Sequence, residues 1–322
     1  MPSKTLTFLS MLLVAGSAWA CQVPVFRYAF EQWDPDRYRI LVFAENVNDD
    51  LAAAIESLRR NSGVTRCADI ELIRPDQLTD TRYAQLWKEH GSAGKPLALT
   101  LYPAKAAAIG GTVAHVSGAT REDLSSVVDS PVRQEIAQRL SAGQSAVWLL
   151  LESGDEALDQ AARQTLQQQL DLDALWLELP TPEEMEIKPE ILEQVKVKLR
   201  VGFSVISVRR DDAREKFLIN CLLNSEADLR NFDAPVAFPV FGRGLVLYAL
   251  VGKGIAPDTI RAASSFICGP CSCQVKEQNP GFDLLLNHDW DAAVGETKIS
   301  QPIAGAGATP KLIPIPAGRN KG

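Results

Sequence analysis

Lys95-Pro96-Leu97-Ala98-Leu99-Thr100-Leu101-Tyr102 decides how this chain is read. Gly91 to Lys95 breaks the preceding segment, and Pro96, which has no N–H to give to a ladder, can stand only at the start of the apolar run Leu97–Tyr102. A strand of six residues follows from that. Upstream, Tyr38–Ala44 (YRILVFA) is an apolar run of strand length. Asn48-Asp49-Asp50 then caps a helix through Arg60 that repeats Leu51, Ile55 and Leu58 on one face. Ala68–Ile73 reads as a second strand, and Asp76 or Thr79 opens a helix carrying Tyr83, Leu86 and Trp87. Downstream, a Gly110-Gly111 turn leads into a strand over Thr112–Val116. Ser130-Pro131 starts a helix through Leu140, with proline in the first turn, where its missing donor is harmless. The order is strand, helix, strand, helix, strand, strand, helix.

The order then begins again. Ala146–Leu151 (AVWLLL) is a strand, Gly154-Asp155 enters a helix through Leu170, and Ala174–Leu179 reads as a short strand before the acidic loop Pro180–Pro189. Apolar residues alternate from Val195 to Val205, the period of a half-buried strand, although the first part could equally finish a helix. Asp211-Asp212 caps a helix bearing Phe217, Leu218, Cys221 and Leu222. Pro235 precedes a strand over Val236–Phe241, Gly242-Arg243-Gly244 makes a turn, Leu245–Val251 pairs back, and Asp258 opens a helix through Phe266.

This order, with Pro96 immediately before the third strand, resembles the thioredoxin-like fold superfamily over roughly residues 36–142, and the second half repeats it. The resemblance implies an α/β fold of two tandem thioredoxin-like units, each a three-layer α/β sandwich with a mixed sheet. The expected organisation is a leader over 1–20, unit 1 over 21–143, unit 2 with a C-terminal cysteine-rich loop over 144–292 and a disordered tail over 293–322. An insertion falls near residues 171–198. A thioredoxin carries its cysteine pair just after its first strand, at a helix start where dipole and free amides favour thiolate. Here those positions hold Ala44-Glu45-Asn46-Val47-Asn48-Asp49-Asp50 and Glu152-Ser153-Gly154-Asp155, without a thiol.

The thiols lie elsewhere. Three of six cysteines fall in Cys268-Gly269-Pro270-Cys271-Ser272-Cys273, after the last helix of unit 2. Their letters match a redox pair, and their placement matches a staple of the C-terminal loop. Cys268, Cys271, Cys273 and Cys221 are the candidates for one or two structural disulfides. Cys268 and Cys271 are the candidate redox couple if the chain is instead a thiol-disulfide oxidoreductase. A thiolate metal site would use Cys268, Cys271 and Cys273, with Cys221 or His288 as a fourth ligand, yet no second cysteine pair at zinc spacing is present. Cys221, on an apolar helix face, reads equally well as an inert buried thiol.

Lys4, the apolar run Leu6–Val14 and Ala18-Trp19-Ala20 have the form of a bacterial-type export signal, too short to span a bilayer. Cleavage after Ala20 leaves Cys21 first, the lipidation candidate of a membrane-tethered lipoprotein, although Trp19 departs from that pattern. The compartment expected is periplasmic or extracellular. A net charge of −7 without a basic run argues against nucleic acid as partner, and no later stretch is long enough for a transmembrane segment. No cofactor motif is present. The three histidines have no nucleophile motif beside them. The function expected is an exported, non-catalytic binding or assembly protein with a protein partner and a structural disulfide in its cysteine cluster.

Overall fold

The computed structural model describes residues 22–104, 106, 111–270, 276 and 281–300. Two mixed sheets organise them. Sheet 1 is built from β1 (Tyr38–Phe43), β2 (Ala68–Ile73), β3 (Leu97–Leu101) and β4 (Val113–Gly118), in the order β2-β1-β3-β4. β1 runs parallel to β2 and antiparallel to β3, which is antiparallel to β4. Sheet 2 repeats the pattern. β5 (Ala146–Leu151) lies between parallel β6 (Phe203–Val208) and antiparallel β7 (Val236–Phe241). The short β8 (Leu245–Val246) and β9 (Leu250–Val251) both fold back on β7, and β10 (Phe282–Asp283) extends the sheet beside β8. The chain is thus two α/β sandwich units.

The α-helices whose bounds are described are, in chain order, α1 (Val25–Gln32), α2 (Asp49–Arg60), α3 (Ser62–Cys67), α4 (Thr81–His90), α5 (Arg121–Val128), α6 (Pro131–Ser141), α7 (Glu156–Trp176), α8 (Pro189–Gln194), α9 (Lys216–Leu223), α10 (Pro257–Cys268) and α11 (Trp290–Val294). Their starts follow local chemistry. Asn48 accepts from Leu51 N at 2.9 Å to cap α2, and Thr120 with Asp123 forms a reciprocal capping box on α5. Leu51, Ala54, Ile55 and Leu58 then form the buried stripe of α2.

Alternation along the strands decides the layering. Tyr38, Ile40 and Val42 point to one face, where they share a single core with Val147, Leu149 and Leu151 of β5 and Phe238 and Val240 of β7. Residues of α2, α5, α6 and α9 fill that core, so both units bury a face in it. The opposite face of sheet 1 (Leu41, Phe43, Leu99, Leu101) meets α4, whose Trp87 stacks on Phe43 at 5.6 Å. The opposite face of sheet 2 (Ala146, Trp148, Leu150) meets α1, α7 and α10. The sequence of layers is therefore α4, sheet 1, shared helices, sheet 2, outer helices.

Several boundaries differ from those expected. Residues 23–33, placed with unit 1 by sequence order, pack on sheet 2: Val25, Phe26, Tyr28 and Trp33 share a cluster with Trp148 and Phe241. Gly242 permits the approach. It has φ +61°, and a Cβ there would sit 2.6 Å from that of Ala29. Arg243 beside it donates to the carbonyls of Phe30 and Glu31, so the turn caps the end of α1. Ala174–Leu179, expected as a strand, instead continues α7 through Trp176, because Asp173, Gln169 and Leu170 keep a buried helical face. The alternating residues 195–202 follow α8 without a ladder, and β6 begins only at Phe203. Residues 293–300, expected in the tail, pack on the body: Val294, Ile299 and Ser300 are buried. Residues 301–322 lie outside the described residues.

The parallel edge strands carry arginines on their open carbonyls. Arg37 and Arg59 donate to Ala68 O and Ile70 O of β2, and Arg139 donates to Val205 O of β6. Side chains thus occupy acceptors that another strand would need.

One buried cation joins the units. Arg133 of α6 is 1 % exposed and donates to Val127 O (2.8 Å), Ser126 O (2.6 Å), Leu285 O (3.1 Å) and Ser130 Oγ (2.9 Å). Ser130 in turn donates to Glu215 Oε2 at 2.6 Å, so a serine relays the guanidinium to a buried carboxylate of unit 2. Its face also lies 4.5 Å from the centre of the Phe217 ring. Burial lowers its pKa to about 10, opposed by Asp129 and Glu215, and it stays charged at neutral pH. Arg133→Met leaves these acceptors without their donor and Glu215 without the nearby buried positive charge, although Glu215 keeps its bonds from Ser130 Oγ and Val132 N. It is expected to lower stability by about 3–5 kcal/mol, measured by urea unfolding, whereas a loss below about 1 kcal/mol would show that packing alone joins the units.

Candidate functional site

The cysteine segment begins at the end of a helix, not at its start. Cys268 is the last residue of α10 and is 2 % exposed. Burial pushes its thiol up to about 12, against a hydrogen bond with Ser145, and the Asp173 charge adds to the rise. The negative end of the helix dipole also disfavours thiolate there. Gly269 then turns the chain where a Cβ would come within 2.7 Å of Ser265 O. The N-terminal segment clamps this turn: Val25 N donates to Gly269 O at 2.9 Å, and Pro24 bridges Pro270 antiparallel. Cys271, Cys273 and the lipidation candidate Cys21 lie outside the described residues.

The other described thiols are core groups. Cys221, on the inner face of α9, lies 3.3 Å from Tyr38 Oη, and burial raises it to about 11. Cys67 donates to the carbonyls of Gly63 and Val64 and is raised by burial to about 12. Cys67, Cys221 and Cys268 are free thiols. Cys221, offered by the sequence as a disulfide or metal partner, occupies the place of an inert buried thiol. His288, the other candidate fourth ligand, pairs its Nε2 with Ser141 Oγ at 2.9 Å and sets its ring edge to face on Trp290. Among the described residues, no group of three or more His, Cys, Asp or Glu is arranged to hold a metal ion.

A buried ionic cluster follows the motif. Lys276 reaches Asp36 Oδ1 at 2.9 Å, Asp283 Oδ2 and the carbonyl of Asp34. Asp283 also accepts from Asp36 N at 2.8 Å, and its own carbonyl accepts from Tyr38 Oη at 2.7 Å. The segment after the cysteines is thus fixed to the linker ahead of β1. Nearby, the buried pair Arg27 and Glu31 (2.7 Å) fixes the chain after α11: Glu31 accepts from Ile299 N, Ser300 N and Ser300 Oγ. The partners in these clusters are far apart in sequence, so their pairing is not a local signal. A lone charge inside an apolar run, as in Phe26-Arg27-Tyr28 or Phe282-Asp283-Leu284, was their available signal.

The residues that follow β1 and those that follow β5 each line an open cleft. In unit 1, a cleft of about 450 Å³ is lined by Asn46, Asn48, Asp50, Pro96 and Thr120 among others. Pro96, which introduces β3, faces the residues that follow β1. In unit 2, a cleft of about 640 Å³ is lined by Glu152, Ser153, Gly154, Arg163, Arg209 and Asp211 among others. Its helix-start amides are taken: Asp155 accepts from Ala157 N and Leu158 N, and buried Asp159 accepts from Ser153 N, Ser153 Oγ and Gly154 N. Arg163 pairs with Glu152 and donates to Ser207 Oγ, and Arg209 pairs with Asp211. Arg163 and Arg209 are thus paired within the cleft, and among the described residues no thiol lines either cleft. No protein-family model matches the chain, and no curated protein matches its sequence.

The Asp283 cluster has a pH signature. Burial raises its carboxyl to about 6, opposed by Lys276, and repulsion from Asp36 adds to the rise. A carboxyl with a raised folded pKa binds its proton more tightly when folded, so its contribution falls as pH rises from about 4 to about 6. Relative to Asp283→Asn, the native protein should lose on the order of 2 kcal/mol of stability between pH 4 and pH 7. Paired urea unfolding across that range checks the sign, which would be wrong if the difference stayed flat or grew with pH.

Proposed function

We propose that this chain is an exported, non-catalytic binding or assembly protein of two thioredoxin-like units, with a structural disulfide in its C-terminal cysteine segment. The sheet orders β2-β1-β3-β4 and β6-β5-β7-β8 are consistent with that fold in both units. The observation that carries the functional reading is the chemistry at the two strand ends. Each unit keeps a cleft there, lined by amide, hydroxyl, carboxylate and guanidinium groups, without a thiol. In unit 2, carboxylates already occupy the amides that would stabilise a thiolate. Such a surface has hydrogen-bonding and charged groups for recognition but no nucleophile activated for exchange.

The leader over residues 1–20 supports export, and an oxidising compartment supports a disulfide. With Cys67, Cys221 and Cys268 as free buried thiols, the cysteines left for the staple are Cys21, Cys271 and Cys273. The partner in this reading is another protein.

Alkylation with iodoacetamide before and after unfolding, read by peptide mass, tests the proposal. The expected result is that Cys67, Cys221 and Cys268 react only after unfolding, while a bridged cysteine of the C-terminal segment resists mild reductant. Rapid labelling of native Cys268, with reversible cycling against a glutathione couple and loss of insulin reduction in a Cys268→Ser/Cys271→Ser variant, would make the chain an oxidoreductase instead.

A further inference from the structure

The last turn of α7 carries apolar side chains outward. Leu172, Leu175 and Trp176, spaced i, i+3, i+4, share one helical face and are 54 %, 87 % and 61 % exposed. Beneath them the same turn is fixed. Asp173 is fully buried, bonded by Gln169 and 3.4 Å from Arg261 Nε, and the Arg261 guanidinium lies 5.5 Å from the Trp176 ring. One Asp173 oxygen has no donor among the described residues. An exposed apolar face on a rigid turn is costly in water and marks a contact surface.

Apart from Arg261, the chain around and after this face is predominantly acidic. Residues 171–193 hold eight carboxylates and one lysine, and Glu178, Glu183, Glu184, Glu186, Glu190 and Glu193 are exposed. The complementary segment is in the same chain. Residues 301–322 contain Lys311, Arg319 and Lys321 and no carboxylate side chain, and they include the apolar, proline-spaced run Leu312-Ile313-Pro314-Ile315-Pro316. Proline-spaced segments dock on exposed aromatic surfaces at low ordering cost, because φ is already fixed.

Residues 299 and 300 lie in the outer layer of unit 2 that also contains α7. Ser300 is tied to Glu31 and Gln32, and Ile299 is buried in the same apolar cluster as Leu166 and Leu170 of α7. From Leu170 to Trp176 the helix rises only about 9 Å, and eleven residues from Ser300 to Lys311 span up to about 36 Å. We propose that residues 311–321 dock on the Leu172–Leu175–Trp176 face of their own chain, with Lys311, Arg319 and Lys321 against the acidic loop.

The test compares the mature chain with one ending at Ser300, which keeps every described contact of the body. Hydrogen exchange is read over residues 170–178, together with acrylamide quenching of Trp176 against a Trp176→Phe control. The expected result is faster exchange and stronger quenching after truncation. Both should be restored by adding a synthetic peptide of residues 301–322, less effectively at high salt. Charge reversal at Lys311, Arg319 and Lys321 in the full chain should reproduce the truncation. Equal exchange and quenching in both chains, or restoration unaffected by Leu175→Glu, would overturn the proposal. Protection that appears only as protein concentration and dimer rise together would overturn its intrachain form in favour of tail exchange between copies.

Discussion

A guanidinium buried between two sheets governs the architecture. Arg133 can be tolerated in that core only because every direction it faces offers an acceptor: the closing carbonyls of α5, the Ser130 hydroxyl leading to Glu215, and Leu285 O from the C-terminal segment. Directly or through Ser130, these bonds reach unit 1, the body of unit 2 and the C-terminal segment of unit 2. Satisfying one charge therefore fixes three parts of the chain relative to one another. Apolar burial supplies most of the driving force of the shared core, whereas the directional bonds of Arg133 select the arrangement.

The two chain ends reinforce this by crossing over. α1 precedes unit 1 in sequence but covers sheet 2, and the segment after β10 returns Leu284, Leu285, Leu286 and Trp290 to the core between the sheets. Buried ion pairs mark both crossings, Arg27 with Glu31 and Lys276 with Asp283. Such pairs are weak sources of net stability, but each makes misplacement of its segment expensive, since a displaced partner leaves a charge unpaired. The first half of the cysteine motif lies at the junction, held between Val25 and α10.

Much of the fold was legible because strand length, caps and prolines are local signals. Asn48 and Asp155 cap the helices they precede, and Pro96 and Pro235 stand just ahead of β3 and β7. What stayed illegible was non-local. Nothing in Val23–Trp33 says that it packs on a sheet formed more than a hundred residues later. The alternation over Val195–Val205 reflects packing along the outer layer, with Val197 O accepting from Arg27, as much as strand pairing. For the clefts, the absence of cysteine from the residues after β1 and β5 could be read directly. The carboxylates that occupy the α7 amides, and the Lys276 cluster, required coordinates because their partners are set by turn geometry and by segments about 240 residues apart.

The two units form one body through a shared core. Differential scanning calorimetry of the chain tests this most directly. A single transition, with a calorimetric to van't Hoff enthalpy ratio of about 1, is the result the account predicts. Two resolved transitions, or a ratio near 2 with unit 1 melting while the Trp148 environment of sheet 2 stays native, would contradict it.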